Sequence, residues 1–282
     1  MVYHSDYREQ TITALETVTF LNAKGGETPG NVVVPSDVSR ITEINIGLAP
    51  EATVDNIMGA STCIHIHGGG VKLPVGYFAG PTFTTGGGAA TTPGGGFYLP
   101  HRILTNIPVV PGGNFRIDGF MCGEDVGAIH LTVGIVYDGI PGKIIDGDIR
   151  SIDLATTNLL TTMTERADAT VEGDIQPPYS KIIELHFAVG AKVTAGNDAV
   201  STALHLTGPG LVVAGPYEWI GPTIGLNDDT AISMNAVVTH PMVYKLGSGI
   251  AVRKGTDIRF QAVMLEGDVG TAWSMVGVYY GA

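Results

Sequence analysis

Apolar and polar residues alternate along much of this chain. Ile44, Ile46 and Leu48 are separated by Asn45 and Gly47, and the same rhythm recurs from Thr62 to His67, Ile182 to Val189, Ala203 to Thr207, Ala231 to Val238 and Ile250 to Val252. A period of two sends successive side chains to opposite faces of a strand. The runs are short and punctuated by glycine, proline, asparagine and aspartate, which supply turns. Only Ile149 to Leu160 tolerates a helical reading. Pro74 and Pro81 restrict any strand between Val71 and Phe83 to a short or edge position, because proline donates nothing to a ladder. Tyr3 to Phe20 alternates at Ile12, Leu15, Val18 and Phe20, and reads as a strand that docks onto a neighbour or swaps with it. The pattern predicts an all-β chain built as sandwiches or barrels.

Two stretches lie over each other without a gap. Gly112 to Gly139 reads GGNFRIDGFMCGEDVGAIHLTVGIVYDG, and Gly255 to Ala282 reads GTDIRFQAVMLEGDVGTAWSMVGVYYGA. Gly112 meets Gly255, Arg116 meets Arg259, Met121 meets Met264, and Tyr137 meets Tyr280. Each is two strand-like runs about an acidic, glycine-containing turn, which is a hairpin signature. Upstream, Ser39–Ile46 matches Ser180–Phe187, Ser61–His65 matches Ser201–His205, and Phe78–Pro81 matches Trp219–Pro222, all in the same order. The expectation is two tandem, duplicated, jelly-roll-like β-sandwiches, 1–142 and 143–282, divided at the turn cluster Asp138–Gly142.

Composition narrows the function. The chain has 282 residues, 40 of them glycine, only 15% charged, and a net charge of -12. So low a charged fraction leaves either a surface covered by neighbouring subunits or a large β core with polar loops. The acidic balance argues against direct nucleic-acid binding, which rests on lysine and arginine. Two cysteines, Cys63 and Cys122, make no disulfide framework and read as small core residues. No apolar run is long enough for a membrane span, and no signal-peptide pattern opens the chain. Thr84 to Gly96 (TTGGGAATTPGGG) reads as a long exposed loop.

The sharpest chemical candidate is Cys63-Ile64-His65-Ile66-His67-Gly68. His65 and His67 share a strand face, and two imidazoles so placed can ligate a transition metal. The motif resembles the first metal motif of cupins, which implies a bicupin-like metalloenzyme. That pattern wants a glutamate four or five residues on, where Val71 and Lys72 stand, and the second half has Thr207 in place of the second histidine. The expectation is therefore structural imidazoles, no metal, no cofactor and no catalytic residue. The glycine triplets lack the Gly-Lys-Ser/Thr of a phosphate loop. Asp146-Gly147-Asp148 and Asn227-Asp228-Asp229 read as solvated turns rather than calcium ligands. Arg116 and Arg259 read as structural ion pairs with Asp125 and Asp268, or with Glu43 and Glu184.

Two acidic, glycine-rich β-domains of equal size without a coherent active site resemble the double jelly-roll major capsid proteins. The resemblance lies in architecture, covers nearly the whole chain, and transfers no site residue. It implies a non-enzymatic structural protein of a virion or an extracellular assembly. Its partners would be copies of itself, as homotrimeric pseudo-hexagonal tiles, and possibly other shell proteins. The Met1–Gln10 arm and the Thr84–Gly96 loop are the expected subunit contacts. A third reading is a carbohydrate-binding sandwich in which Tyr217 and Trp219 stack on a sugar.

Overall fold

A computed structural model describes residues 4–15, 17–23, 28–52, 59–84, 99–123, 127–155, 158–165, 168–193, 199–225, 237–265 and 271–281. The chain is all-β, with no helix among these residues. The first half holds β1 (His4–Ile12), β2 (Thr19–Phe20), β3 (Val32–Val33), β4 (Arg40–Ala52), β5 (Gly59–His67), β6 (Tyr77–Thr84), β7 (His101–Pro108), β8 (Asn114–Gly123) and β9 (Ala128–Tyr137). The second holds β10 (Ile144–Leu154), β11 (Thr161–Thr162), β12 (Thr164–Glu165), β13 (Asp168–Glu172), β14 (Lys181–Val193), β15 (Ala199–Thr207), β16 (Tyr217–Gly225), β17 (Val237–Thr239), β18 (Met242–Ala251), β19 (Arg259–Leu265) and β20 (Thr271–Gly281).

Sheet order explains the architecture. In the first half β1-β9-β4-β7 face β2-β8-β5-β6 across one apolar core. In the second, β10-β20-β14-β18 face β11-β19-β15-β16 across another. The two orders are the same once β10, β20, β14 and β18 are set against β1, β9, β4 and β7. Local detail follows. Gly68 and Gly208 both turn at positive φ (124° and 123°), and a Cβ on either would press on the backbone of Phe115 or Ile258. The Val71–Val109 bridge has its counterpart in Leu211–Val252. Thr62 and Thr202 each donate to a proline carbonyl, Pro81 or Pro222, at 2.9 Å.

One further correspondence joins β1 to β10. Asp6-Tyr7-Arg8 and Asp148-Ile149-Arg150 occupy matching places, and both arginines are buried. Arg8 Nη1 donates to Asp6 and to the Tyr7 carbonyl, and its Nε donates to Gly30. Arg150 Nη1 donates to Asp148 and to the Ile149 carbonyl, and its Nε donates to Gly173. A buried guanidinium needs this many acceptors to offset its desolvation.

Three expectations differ from the structure. Residues 149–154, where a helix was conceivable, continue strand β10, which is buried on both faces through residues 146–151. Pro81 lies in β6, which is flanked by β5 and β17. A register shift opposite Ser61 and Cys63 lets the proline sit without a ladder donor. The N-terminal segment orders within its own chain, His4 to Ile12 pairing continuously with β9. The expected Thr84–Gly96 contact loop falls, after Thr84, outside the described residues.

Candidate functional site

Three features of the described residues carry chemistry: a histidine cluster on the first sandwich, the seam between the halves, and an uncovered edge on the second.

The cluster forms on the outward face of β5. His65 and His67 point the same way, as their spacing requires, and their rings stack with centroids 4.3 Å apart. Tyr77 of β6 stacks on the other side of His65 at 4.0 Å. His65 lies directly across the ladder from Asp118 of β8, so cross-strand pairing delivers a carboxylate to the histidines. His67 Nε2 lies 2.9 Å from Asp118 Oδ2, and Arg116 donates to Oδ1 of the same carboxyl. The Val75 carbonyl accepts from His65 Nε2 at 3.0 Å. Asp118 is buried, while the His67 side chain is 41% exposed. The ligand atoms of His65, His67 and Asp118 all lie within 4.8 Å of one another. Sequence reasoning sought the third ligand just downstream of His67 and missed Asp118.

The second half lacks this cluster. His205 matches His65, but Thr207 stands for His67 and Gln261 for Asp118. Arg259, the counterpart of Arg116, grips Asp174 with two bonds of 2.7 and 2.8 Å, and the pairing lowers the carboxyl's pKa. The arginine partners are thus Asp118 and Asp174. Glu43 binds Arg102 and Glu184 faces His186, while Asp125 and Asp268 lie outside the described residues.

The seam packs the outer face of β5-β6-β8 against the outer face of β10-β14-β20. Cys63, Tyr77, Ala79, Phe120 and Cys122 meet Ile149, Ala188, Trp273 and Met275, all buried. The cysteines are free thiols 3.9 Å apart in this apolar layer, and burial raises the Cys63 pKa. Polar bonds cross the layer. The Ala79 amide donates to the buried Tyr279 hydroxyl at 2.9 Å. Asp146, fully buried, accepts from the Gly76 and Gly147 amides at 2.8 and 2.9 Å and from Val75 at 3.3 Å. Burial still pushes its carboxyl up to about 6, against those hydrogen bonds. His101 shares a 3.1 Å hydrogen bond with His186, and burial drives the first down to about 3. Strand β17 adds to β6, and Ile144 pairs in parallel with Thr105. Asp146 is therefore a seam residue, while Asp148 pairs with Arg150 on the face of β10 that turns to the second core. Neither is a solvated turn. The other acidic candidate, Asn227–Asp229, lies outside the described residues.

The edge formed by β16 and β18 shows what the seam would look like uncovered. Ala79 is fully buried by the second half, while its counterpart Ile220 is 62% exposed. His101 is 6% exposed, while Met242, at the same place in the ladder, is 44% exposed. Val243 is exposed beside it. Tyr217 and Trp219, the sugar-stacking candidates, are half-buried and pack against the second core. No helix among the described residues is long and apolar enough to cross a membrane.

No protein-family profile matches the chain, and no curated protein matches its sequence. Solved structures align over its length at low similarity. A recombinant N-glycanase F (PNGase F) is 11% identical, over 97% of this chain and 96% of its own, with a TM-score of 0.29. The VP2 subviral particle of infectious bursal disease virus is 13% identical, over 99% of this chain and 72% of its own, with a TM-score of 0.20. The Gx strain of the same virus is 10% identical, over 99% and 71%, at 0.19. Superpositions this distant carry no functional weight.

Proposed function

We propose that this chain is a non-enzymatic, self-assembling shell protein of the major-capsid type. Three copies form a ring of six sandwich-shaped sectors, which packs on into a shell or lattice. The observation that carries this reading is the mismatch between covered and uncovered edges. Within one chain, strand β10 and its neighbours cover the β6–β7 side of the first sandwich. The matching β16–β18 side of the second sandwich has no such cover among the described residues and presents Ile220, Met242 and Val243. The strand that corresponds to β10 is β1, which ends its sheet and carries on its far edge the single-residue Glu9–Asn22 bridge. Its Asp6 and Arg8 repeat the Asp148–Arg150 arrangement. A second copy that sets β1 against the β16–β18 edge repeats the intrachain seam between chains.

Such a contact is heterologous, head to tail, and must close into a ring or grow without limit. Three chains with two sectors each give the six near-equivalent edges that tile a surface. The interchain version is more polar than the seam. Tyr7, His130 and Thr132 stand where Ile149, Trp273 and Met275 stand in the second half, as suits an interface formed after each chain folds. With a net charge of -12, the inner face of a shell would meet protein, membrane or counterions rather than bare nucleic acid. The reading places the protein in a virion or an extracellular assembly. Electron micrographs of the purified chain test it: six-lobed rings, sheets or shells are expected, and isolated small particles at all concentrations would refute it.

A further inference from the structure

We propose that His65, His67 and Asp118 form a binding site for one borderline divalent transition ion of the zinc class. The proposal replaces the expectation of purely structural imidazoles. That expectation rested on the missing downstream glutamate, and the fold brings the carboxylate from β8 instead. Imidazole nitrogen and carboxylate oxygen suit zinc, cobalt and nickel ions, and three protein ligands leave a position for water.

The geometry needs little adjustment. Two ligand atoms on tetrahedral bonds of 2.0–2.1 Å lie about 3.3 Å apart. The three atoms here already fall within 4.8 Å, and His67 Nε2 is 2.9 Å from Asp118 Oδ2. Rotation of the imidazoles about χ2, a broad torsion, closes a gap of that size. The backbone beneath is fixed, because β5 and β8 pair from Ala60–Gly123 to His67–Arg116.

The surrounding contacts orient the ligands. Arg116 holds Asp118 Oδ1, which aims Oδ2 at the histidines, and Arg116 itself lies 4.1 Å above the Phe20 ring. The Val75 carbonyl accepts a hydrogen bond from His65 Nε2–H, which leaves Nδ1 as the nitrogen that can ligate. Outer contacts of this kind set the tautomer and orientation of metal-binding histidines. The exposed flank of His67 gives the ion a path from water.

Comparison of the halves sharpens the case. Both keep the arginine, as Arg116 and Arg259. In the second half its carboxylate is Asp174, far along the chain on the β13–β14 connection. Asn31 stands at the matching place in the first half, as the shared carbonyl contacts of Arg8 and Arg150 show. The acid that pairs the first arginine is Asp118 instead, beside both histidines. Pairing an arginine does not require the acid at that position, whereas ligation by three groups does.

The test is calorimetric titration of the EDTA-treated full-length protein with zinc chloride, with cobalt(II) absorption as the coordination signature. One ion per chain is expected, with Kd of about 10 µM or tighter. His67→Ala and Asp118→Asn should each weaken binding by at least about tenfold. His205→Ala, in the half without the cluster, should leave it unchanged. His67 is exposed enough that its alanine variant folds even if Asp118→Asn does not. Absence of saturable binding below about 100 µM would overturn the proposal, as would binding that His67→Ala leaves undiminished.

Discussion

Replacing Asp146 by asparagine should stabilise this protein at neutral pH and flatten its acid dependence. The carboxyl is wholly buried in the seam, and its folded pKa is about 6 against an ordinary value of 3.8. A folded pKa above the unfolded one means that the native state binds the proton more tightly. Stability is then greatest below about pH 4 and falls as pH rises to about 6, where the folded carboxyl ionises. The shift corresponds to about 3 kcal/mol lost between those limits. Asparagine removes that loss. Its carbonyl can still accept from Gly76 and Gly147, but its amide faces the Val75 N–H and forfeits the 3.3 Å bond, at about 1 kcal/mol. The net expectation at pH 7 is a gain of about 1–2 kcal/mol, which passes through zero between about pH 4 and 5 and becomes a loss of up to about 1 kcal/mol below. Urea unfolding followed by circular dichroism from pH 4 to 8, on both proteins at equal concentration, isolates the group because all others titrate alike. Equal pH profiles, with the variant more than about 1 kcal/mol less stable at pH 7, would show that the carboxylate stabilises the seam and would refute the reasoning.

Other perturbations report on the same framework. Arg150→Met leaves Asp148 buried without its cation and should cost about 3–5 kcal/mol in urea unfolding; a loss below about 1 kcal/mol would mean that the pair is not buried as described. Gly221→Ala places a Cβ 2.0 Å from the Phe187 ring and 2.4 Å from Thr202 Oγ1, so a loss of about 1–3 kcal/mol or more is expected. Gly69→Ala meets nothing within 4 Å and should stay within about 0.5 kcal/mol of the parent; equal effects of the two would contradict the packing.

The class of the fold was legible because most strands keep one wet face. Strand β9 alternates half-buried and buried residues along its whole length, and its sequence shows it. Where the halves meet, that signal disappears. Strand β10 is covered on both faces through residues 146–151, so its pattern loses the period of two and admits a helix. The correspondence of Asp6–Arg8 with Asp148–Arg150 was visible in principle, since one residue separates acid and arginine in both. It stands outside the longer matching blocks and becomes meaningful only when both arginines are seen buried on equivalent carbonyls. The His65–His67 face followed from spacing alone. Asp118 did not, because a cross-strand partner 51 residues away leaves no local trace.

Molar mass by light scattering behind size-exclusion chromatography, at micromolar concentration, tests the assembly most directly. The account predicts three copies of a 29.4 kDa chain, about 88 kDa, or larger multiples of that unit. Ile220→Asp, which puts a charge on the exposed edge without entering either core, should return the mass to that of one chain with circular dichroism unchanged. A parent protein that is strictly monomeric, with or without added salt or calcium, would contradict it.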